Sequence, residues 1–544
     1  DPVGGACSQL TGFTGTKNLK AWAGVAIDPA AAATKSTGLP EKILFNGSVV
    51  SESSSTSNNV TADFVAGVAS VDVEYLDVGN VIDFHFVHND APYDGSTTPP
   101  FSSLGGSVSA FAVYPKAIEV STSSVCSVPL KDCARFAKAD EAFSVTGKAV
   151  CTDGSVAQSY IGTVNLTQKV IAPTGGSDGQ LANPTLTFED ADDGQVTETD
   201  KKISEVGVFT LTSGPTTYFG PNTIPEFISD PIGRLYPAKF DVAVVNGSFK
   251  SSCDTYTYVG QPFGYEFSPG LTITAKSNDD RTTENYTHPD FIKLNASDIK
   301  RDFPSEDDNQ NGASSALMVV TDAHTDGSLL VATPISGVMN YNFDSADSFT
   351  YTQDSNSPIA PFVSELSIET TEIKDSDGVT APILPTIKPT GTDIRYGRWL
   401  MKNAFGPETH NLSMFGQIEY LSASGYVLNT DDNCSVIASI SSSPNGTSSA
   451  GKIDGITVGG GTTDFSYDQN IDGGPSTGKG DFNFTAPGVG NTGSVDIIFN
   501  LNSQPWLKHD WNGDGTVEDH PDVTATFGRY RGHDRIIYWR EGSN

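Results

Sequence analysis

Apolar and polar residues alternate at period two along this chain, and turn residues break the alternation about every ten positions. The pattern runs through VDVEYLDV (71–78), VIDFHFVH (81–88), KFDVAVVNGSF (239–249), LTITAKS (271–277) and VDIIFNLN (495–502). Successive side chains of a strand point to opposite faces, so such segments bury one face and wet the other. The punctuation comes from 54 glycines and 31 prolines, joined by Asn and Asp clusters that favour tight turns. LKDCARFAKADEAF (130–143) is the kind of short stretch that could be helical. The expected fold is all-β: tandem β-sandwich (Ig-like) modules, with short helices only in connections.

At 544 residues the chain exceeds what one core can organise, and its length suggests roughly three to five domains. FAVYPKAIEV (111–120) and GRLYPAKFDV (233–242) share Tyr-Pro-x-x-apolar-x-Val. Proline cannot donate to a ladder, so each echo reads as the entry to a new module. A further break is expected at the Pro-rich APILPTIKPTGTD (381–393). The expected modules are a β domain over 1–110, an Ig-like sandwich over 111–233, a sandwich over 234–390 and a C-terminal β domain over 391–544.

Thirty-two Lys and Arg stand against 66 Asp and Glu, for a formal charge of −34. Such a surface repels phosphate backbones and anionic lipid, so nucleic acid is not an expected partner. No run of about 18 apolar residues suggests a membrane span. The chain opens on Asp1 rather than Met, as expected after removal of a signal peptide or in a shortened form.

The six cysteines are Cys7, Cys126, Cys133, Cys151, Cys253 and Cys434, with no CxxC pair. Scattered over a Ser/Thr/Asn-rich chain, they read as disulfides formed in an oxidising compartment. The expected pairs are Cys253–Cys434 and two of the cysteines between 126 and 151.

Chemistry is concentrated in HDWNGDGTVEDHPD (509–522). Counting Asp510 as position one, Asn512 is three, Asp514 five, Gly515 six and Thr516 seven, the opening of an EF-hand-type loop. Position twelve is Pro521 instead of a bidentate Glu, so the closing ligands would come from Glu518, Asp519 or Asp522. The flanks PWLKHD and VTATFGRYRG read as strands, so a structural Ca2+ on a β scaffold is expected, with Thr516 offering its carbonyl. The alternative is an Asx-rich turn without an ion. DSDGV (375–379) and NTDDNC (429–434) read as structural turns.

Other motifs lack the context their chemistry needs. GGSDG (175–179) and GPSTG (474–478) match G-x-S-x-G but lie in Gly-rich loops, not between a strand and a helix. GGPSTGKG (473–480) has Gly480 where a phosphate loop needs Ser or Thr. His85 and His88, three apart on a strand, face opposite sides. RIIYWRE (535–541) reads as a buried strand, with Trp539 a lesser candidate for sugar binding. N-x-[ST] triplets, such as those at Asn46, Asn285 and Asn445, read as chance in this composition if the chain is bacterial and as glycan sites if it is a secreted eukaryotic protein. The chain is not expected to be an enzyme.

PIGRLYPAKFDV (231–242), CDTYTYVGQPFGY (253–265), DIRYGRWLMKNAFGPE (393–408), YVLNTDDNC (426–434) and ATFGRYRGHDRIIYWRE (525–541) occur in this order. In order and spacing they resemble the C-terminal region of the MshQ-like proteins, a bacterial family associated with mannose-sensitive haemagglutinin type IV pili. The resemblance runs from about residue 110 to the end and implies export to the cell surface or a pilus. It does not supply a biochemical activity. The expected role is adhesion or surface display, with pilus or filament subunits, copies of the chain itself, or surface glycans as partners. The alternative is a self-assembling subunit of an extracellular filament or surface layer.

Overall fold

The computed structural model describes residues 2–528, apart from residues 4–5, 8, 27–42, 51–57, 76, 79–80, 89–103, 128, 219–221, 311–317, 322–329, 437–438, 450, 468–477 and 518–522. Among these residues helical structure is confined to 3-10 turns of three or four residues, and the rest of the regular structure is strand. Among the described residues no helix is long and apolar enough to cross a membrane. Tandem β-sandwich modules around four main hydrophobic cores are what the alternation predicts.

In the first module the strand Gly15–Ala26 lies between Asn58–Phe64 and Val81–His88, with Leu104–Ala112 outside. Its inward residues Leu19, Ala21 and Ala23 meet Ile43 and Phe45 of the facing three-stranded sheet. Outward-pointing Trp22 stacks on His85, whereas His88 packs against Phe13, so the two histidines face opposite sides as expected.

The second module pairs Ala117–Thr122, Phe143–Val150 and Gln195–Ile203 in one sheet. Gly162–Ala172, Gly207–Ser213 and Ile232–Tyr236 form the other, with Arg135–Lys138 running parallel to Ile232–Tyr236. Hydrogen bonding thus keeps both strands that precede a Tyr-Pro in the earlier module. The segment 130–143 is not helical: one 3-10 turn, Leu130–Asp132, is followed by the strand Arg135–Lys138. The Cys126–Cys133 disulfide closes that turn, and Ala137 and Ala139 are buried on the strand side.

The third module has one four-stranded sheet, led by Lys239–Val245 and Gly270–Lys276, and several smaller ones. Its core is aromatic, with Phe249, Phe263, Tyr265 and Phe349 in edge and stacked contacts. In the fourth module Gly397–Met401, Leu412–Ser422 and Lys479–Phe484 lie side by side. They pack over a second sheet containing Gly493–Asn500 and Val523–Phe527. Trp399 fills the gap between them, and Gly416 makes the room: a Cβ there would lie 2.2 Å from its ring. Tyr256 and Tyr258, on a third-module strand, belong to this last core.

Candidate functional site

The acidic loop begins where Pro505–Leu507 ends. That segment is a 3-10 turn with proline in its first turn, not the strand expected of PWLKHD, because proline pre-sets the helical φ and lacks a ladder donor. Val523–Phe527, on the other flank, is a strand as expected.

Between the flanks the loop folds around Asp510. Its Oδ1 accepts the backbone N–H of Gly513 at 2.7 Å and of Asp514 at 3.2 Å, and its Oδ2 that of Gly515 at 2.8 Å. Asn512 Oδ1 accepts the Asp514 N–H at 2.8 Å, and Asp514 Oδ1 that of Thr516 at 2.8 Å. Gly513 and Gly515 hold φ values of 77° and 87°, which let the chain turn this sharply. Hydrogen bonds from Thr516 hold the exposed Asp514 carboxyl below its ordinary range. The structure therefore brings Asp510, Asn512, Asp514 and Thr516 into one loop, with Asp510 half-buried and the other three exposed. Glu518, Asp519 and Asp522 lie outside the described residues, as do Ser476 of GPSTG and the segment 535–541 with Trp539. The loop can offer oxygen donors to a hard cation.

Two aromatic residues fix the loop to the sheet. His509 and Trp511 meet edge to face at 4.8 Å, and His509 meets Tyr426 at 5.3 Å. The Arg398 guanidinium lies 3.5 Å from the Tyr426 ring centre and 5.1 Å from that of Trp511, while Glu419 Oε2 accepts from its Nε and Nη2. Third-module side chains also reach the loop. Gln353 Nε2 donates to the Lys508 carbonyl at 3.1 Å, and Ser355 Oγ to the Gly515 carbonyl at 3.2 Å. The loop thus sits on the junction of the third and fourth modules.

Cys253–Cys434 spans the same junction, as expected. The buried Asp432 lies beside it, accepting from Tyr258 Oη at 2.5 Å, Ser435 Oγ at 2.9 Å and Ser435 N at 3.0 Å. Tyr258 Oη also takes bonds from Asn429 Nδ2 at 2.6 Å and Tyr256 Oη at 3.1 Å. Burial, with the Asp432 charge second, raises the Tyr258 phenol well above its ordinary value, so it stays a donor. Cys253, Asp432 and Cys434 have metal-ligand proximity, but the two sulfurs are joined and offer no thiolate. NTDDNC is therefore the structural turn it was expected to be.

The other junctions are closed in the same way. Between the first and second modules, buried Asp77 accepts from Ser159 N at 3.0 Å and Oγ at 2.7 Å. Between the second and third, Glu205 accepts the N–H of Glu284 at 2.9 Å and Asn285 at 3.1 Å. Asn285 returns the contact, donating to the carbonyls of Ser177 and Val206 at 2.9 and 2.8 Å. Desolvation pushes the Glu205 carboxyl up to about 7. GGSDG lies in this clasp through Ser177. Asp375 and Asp377 of DSDGV are buried: one accepts from Tyr286 Oη at 2.8 Å, the other from Arg234. Sequence reasoning missed Glu205 and Arg234 and read Asn285 only as part of an N-x-[ST] triplet, not as a junction residue. The one available signal was a charged residue within an otherwise apolar strand, IGRLY.

Residues 114–199, 205–395 and 395–542 match the second, third and fourth domains of DUF6701. The third-domain match begins inside the second sandwich, at Glu205. No curated protein matches the chain. Among solved structures it is similar to invasin, a bacterial integrin-binding protein, at 11% identity and a TM-score of 0.22, over 75% of this chain and 60% of that one. It is similar to a marsupial T cell receptor at 8% identity and a TM-score of 0.19, over 71% of this chain and 97% of that one. The chain thus spans 60% of the length of the invasin chain. Scores this low carry no argument about function.

Proposed function

The chain belongs to the DUF6701 family through residues 114–542, and from that premise we propose that it is a non-enzymatic, secreted strut of the bacterial cell surface or a pilus, acting in adhesion or display. The observation that carries this reading is the closure of all three module junctions by buried polar contacts, with a disulfide added at the last. Flexibly linked domains place few buried contacts across their boundaries. Locked junctions keep a contact surface at a fixed reach and reduce the conformational entropy lost on binding.

Two disulfides support an oxidising, extracytoplasmic location. The resemblance of the motif order in the sequence to that of MshQ-like proteins is what favours a place on or near type IV pili in this reading. In this reading the 510–516 loop takes a structural Ca2+ through Asp510, Asn512 and Asp514, bracing the junction that Cys253–Cys434 already ties. Electron microscopy of the purified chain tests the strut: particles of one constant outline are expected. A population bending freely at the module junctions would end the proposal. Immunogold labelling of producing cells then tests the location, with gold on the surface or pili expected.

A further inference from the structure

The outer face of the fourth module's large sheet is mostly Ser, Thr, Asn and charged residues, yet Phe415 stands on it with 69% of its surface exposed. Beside the ring lies a cavity of about 290 Å³ lined by Leu400, Lys402, Asn403, Ser413, Phe415 and Gln417. That volume falls just below the ~300–1,000 Å³ of pockets for drug-sized ligands, which suits a single ring.

The register fixes what surrounds it. Leu400 and Gln417 are paired across neighbouring strands, and Gln417 faces Lys479 on the other side. Phe415 faces Asp481. Lys402 and Lys479 form no ion pair among the described residues, whereas Arg398 one row away is neutralised by Glu419. On a chain of net charge −34, the cavity lining carries one unpaired ammonium group, Lys402, and no carboxylate, while Lys479 and Asp481 stand on the neighbouring strand beyond Gln417 and Phe415.

An exposed ring offers its face to an apolar C–H surface, and the amides and hydroxyl around it serve a ring of hydroxyl groups. Free ammonium groups select a carboxylate. Of common ligands, an acidic pyranose combines a C–H face, hydroxyls and a carboxylate on one ring. We propose that this cavity binds one carboxylate-bearing sugar of a surface glycan, with Phe415 stacking on the ring and Lys402 meeting its carboxylate. The proposal deepens the surface-display reading and rests on it for the source of the glycan.

Saturation-transfer NMR on the full chain tests it, with methyl glucuronide, methyl N-acetylneuraminate glycoside and methyl glucoside as probes. Transfer to one of the two acidic sugars is expected, and which one identifies the source. The signal should disappear in Phe415→Ala, persist in Phe415→Trp and weaken roughly tenfold in affinity in Lys402→Gln, as for the loss of about 1.4 kcal/mol. Phe415 is exposed, so Phe415→Ala is expected to fold. The proposal is overturned by silence from both acidic probes, by equal transfer to methyl glucoside, or by an unchanged signal in Phe415→Ala. Purified chain in solution reports nothing about location or junction stiffness, so this outcome and that of the imaging experiment are separable.

Discussion

Arg234 of the second module grips Asp377 of the third with both terminal nitrogens, at 2.5 and 2.7 Å, and both side chains are about nine-tenths buried. Arg234 Nε also donates to the Cys133 carbonyl at 3.2 Å, and Arg135 reaches the Asp377 carbonyl. A buried pair adds little over a well-packed apolar replacement, but removing one partner strands the other charge at a cost of about 3–5 kcal/mol. Arg234→Ala or Asp377→Ala should therefore lower stability by that amount, while the double variant Arg234→Met/Asp377→Leu should recover most of it. Denaturant unfolding of the three variants checks this; equal stability of the single variants and the parent would refute the role assigned to the pair.

Tyr258 occupies the equivalent position at the next junction, where its hydroxyl joins Asp432, Asn429 and Tyr256. Tyr258→Phe keeps the ring and orphans those partners, so a loss of about 2–3 kcal/mol is expected. Reduction of Cys253–Cys434, which closes a loop of 181 residues, should cost up to about 5 kcal/mol on chain-entropy grounds. Calorimetry should then show the fourth module melting ahead of the rest. One unsplit transition at the parent's temperature under reducing conditions would refute it.

The strands were legible because a one-sided core writes period two into the sequence: VIDFHFVH is the strand Val81–His88, and VDIIFNLN lies almost wholly in Gly493–Asn500. The Cys253–Cys434 pair and the turns at DSDGV and NTDDNC were legible too. The junctions were not. Glu205 and Asn285 lie 80 residues apart and meet only through folding, so no local spacing announces them. Phe415 escaped for a different reason: an apolar ring on the outward row breaks the apolar-in, polar-out alternation of LSMFGQIEYLS, and only the strand's facing shows that it is exposed. PWLKHD was misread because proline's effect on φ outweighed the apolar content of the segment.

Glu205 also sets a pH dependence. Its carboxyl is raised from 4.5 to about 7, chiefly by desolvation, with no cation among the groups that shift it. The folded chain thus holds a proton that the unfolded chain releases between those values. The resulting stabilisation is complete below about 4.5 and is lost as pH rises through about 7, on the order of 3 kcal/mol in all. Asp307 and Asp375, raised by burial, act in the same direction. Melting temperature should rise on acidification from pH 8 to 5.5, and Glu205→Gln should flatten that slope whatever it does to absolute stability. A variant slope equal to the parent's would rule Glu205 out as its source.

The proposed Ca2+ at the 510–516 loop has the sharpest consequence, because the loop touches both modules. Asp510 spends its N–H contacts on ordering the loop, and each carboxylate oxygen keeps lone-pair capacity for an ion. An ion held by the folded loop alone stabilises through mass action, by about 2.7 kcal/mol at a hundredfold excess over Kd. Adding 2 mM Ca2+ to chelator-treated protein should therefore raise the melting temperature and slow proteolysis near residues 510–516, while the same addition of Mg2+ should do much less. Asp510→Ala should abolish the response. It should also loosen the contact between Ser355 and the Gly515 carbonyl, and so expose the third–fourth junction to protease even with Ca2+ present. Identical melting and cleavage with and without Ca2+ would leave the loop an Asx-rich turn that orders itself through Asp510 alone.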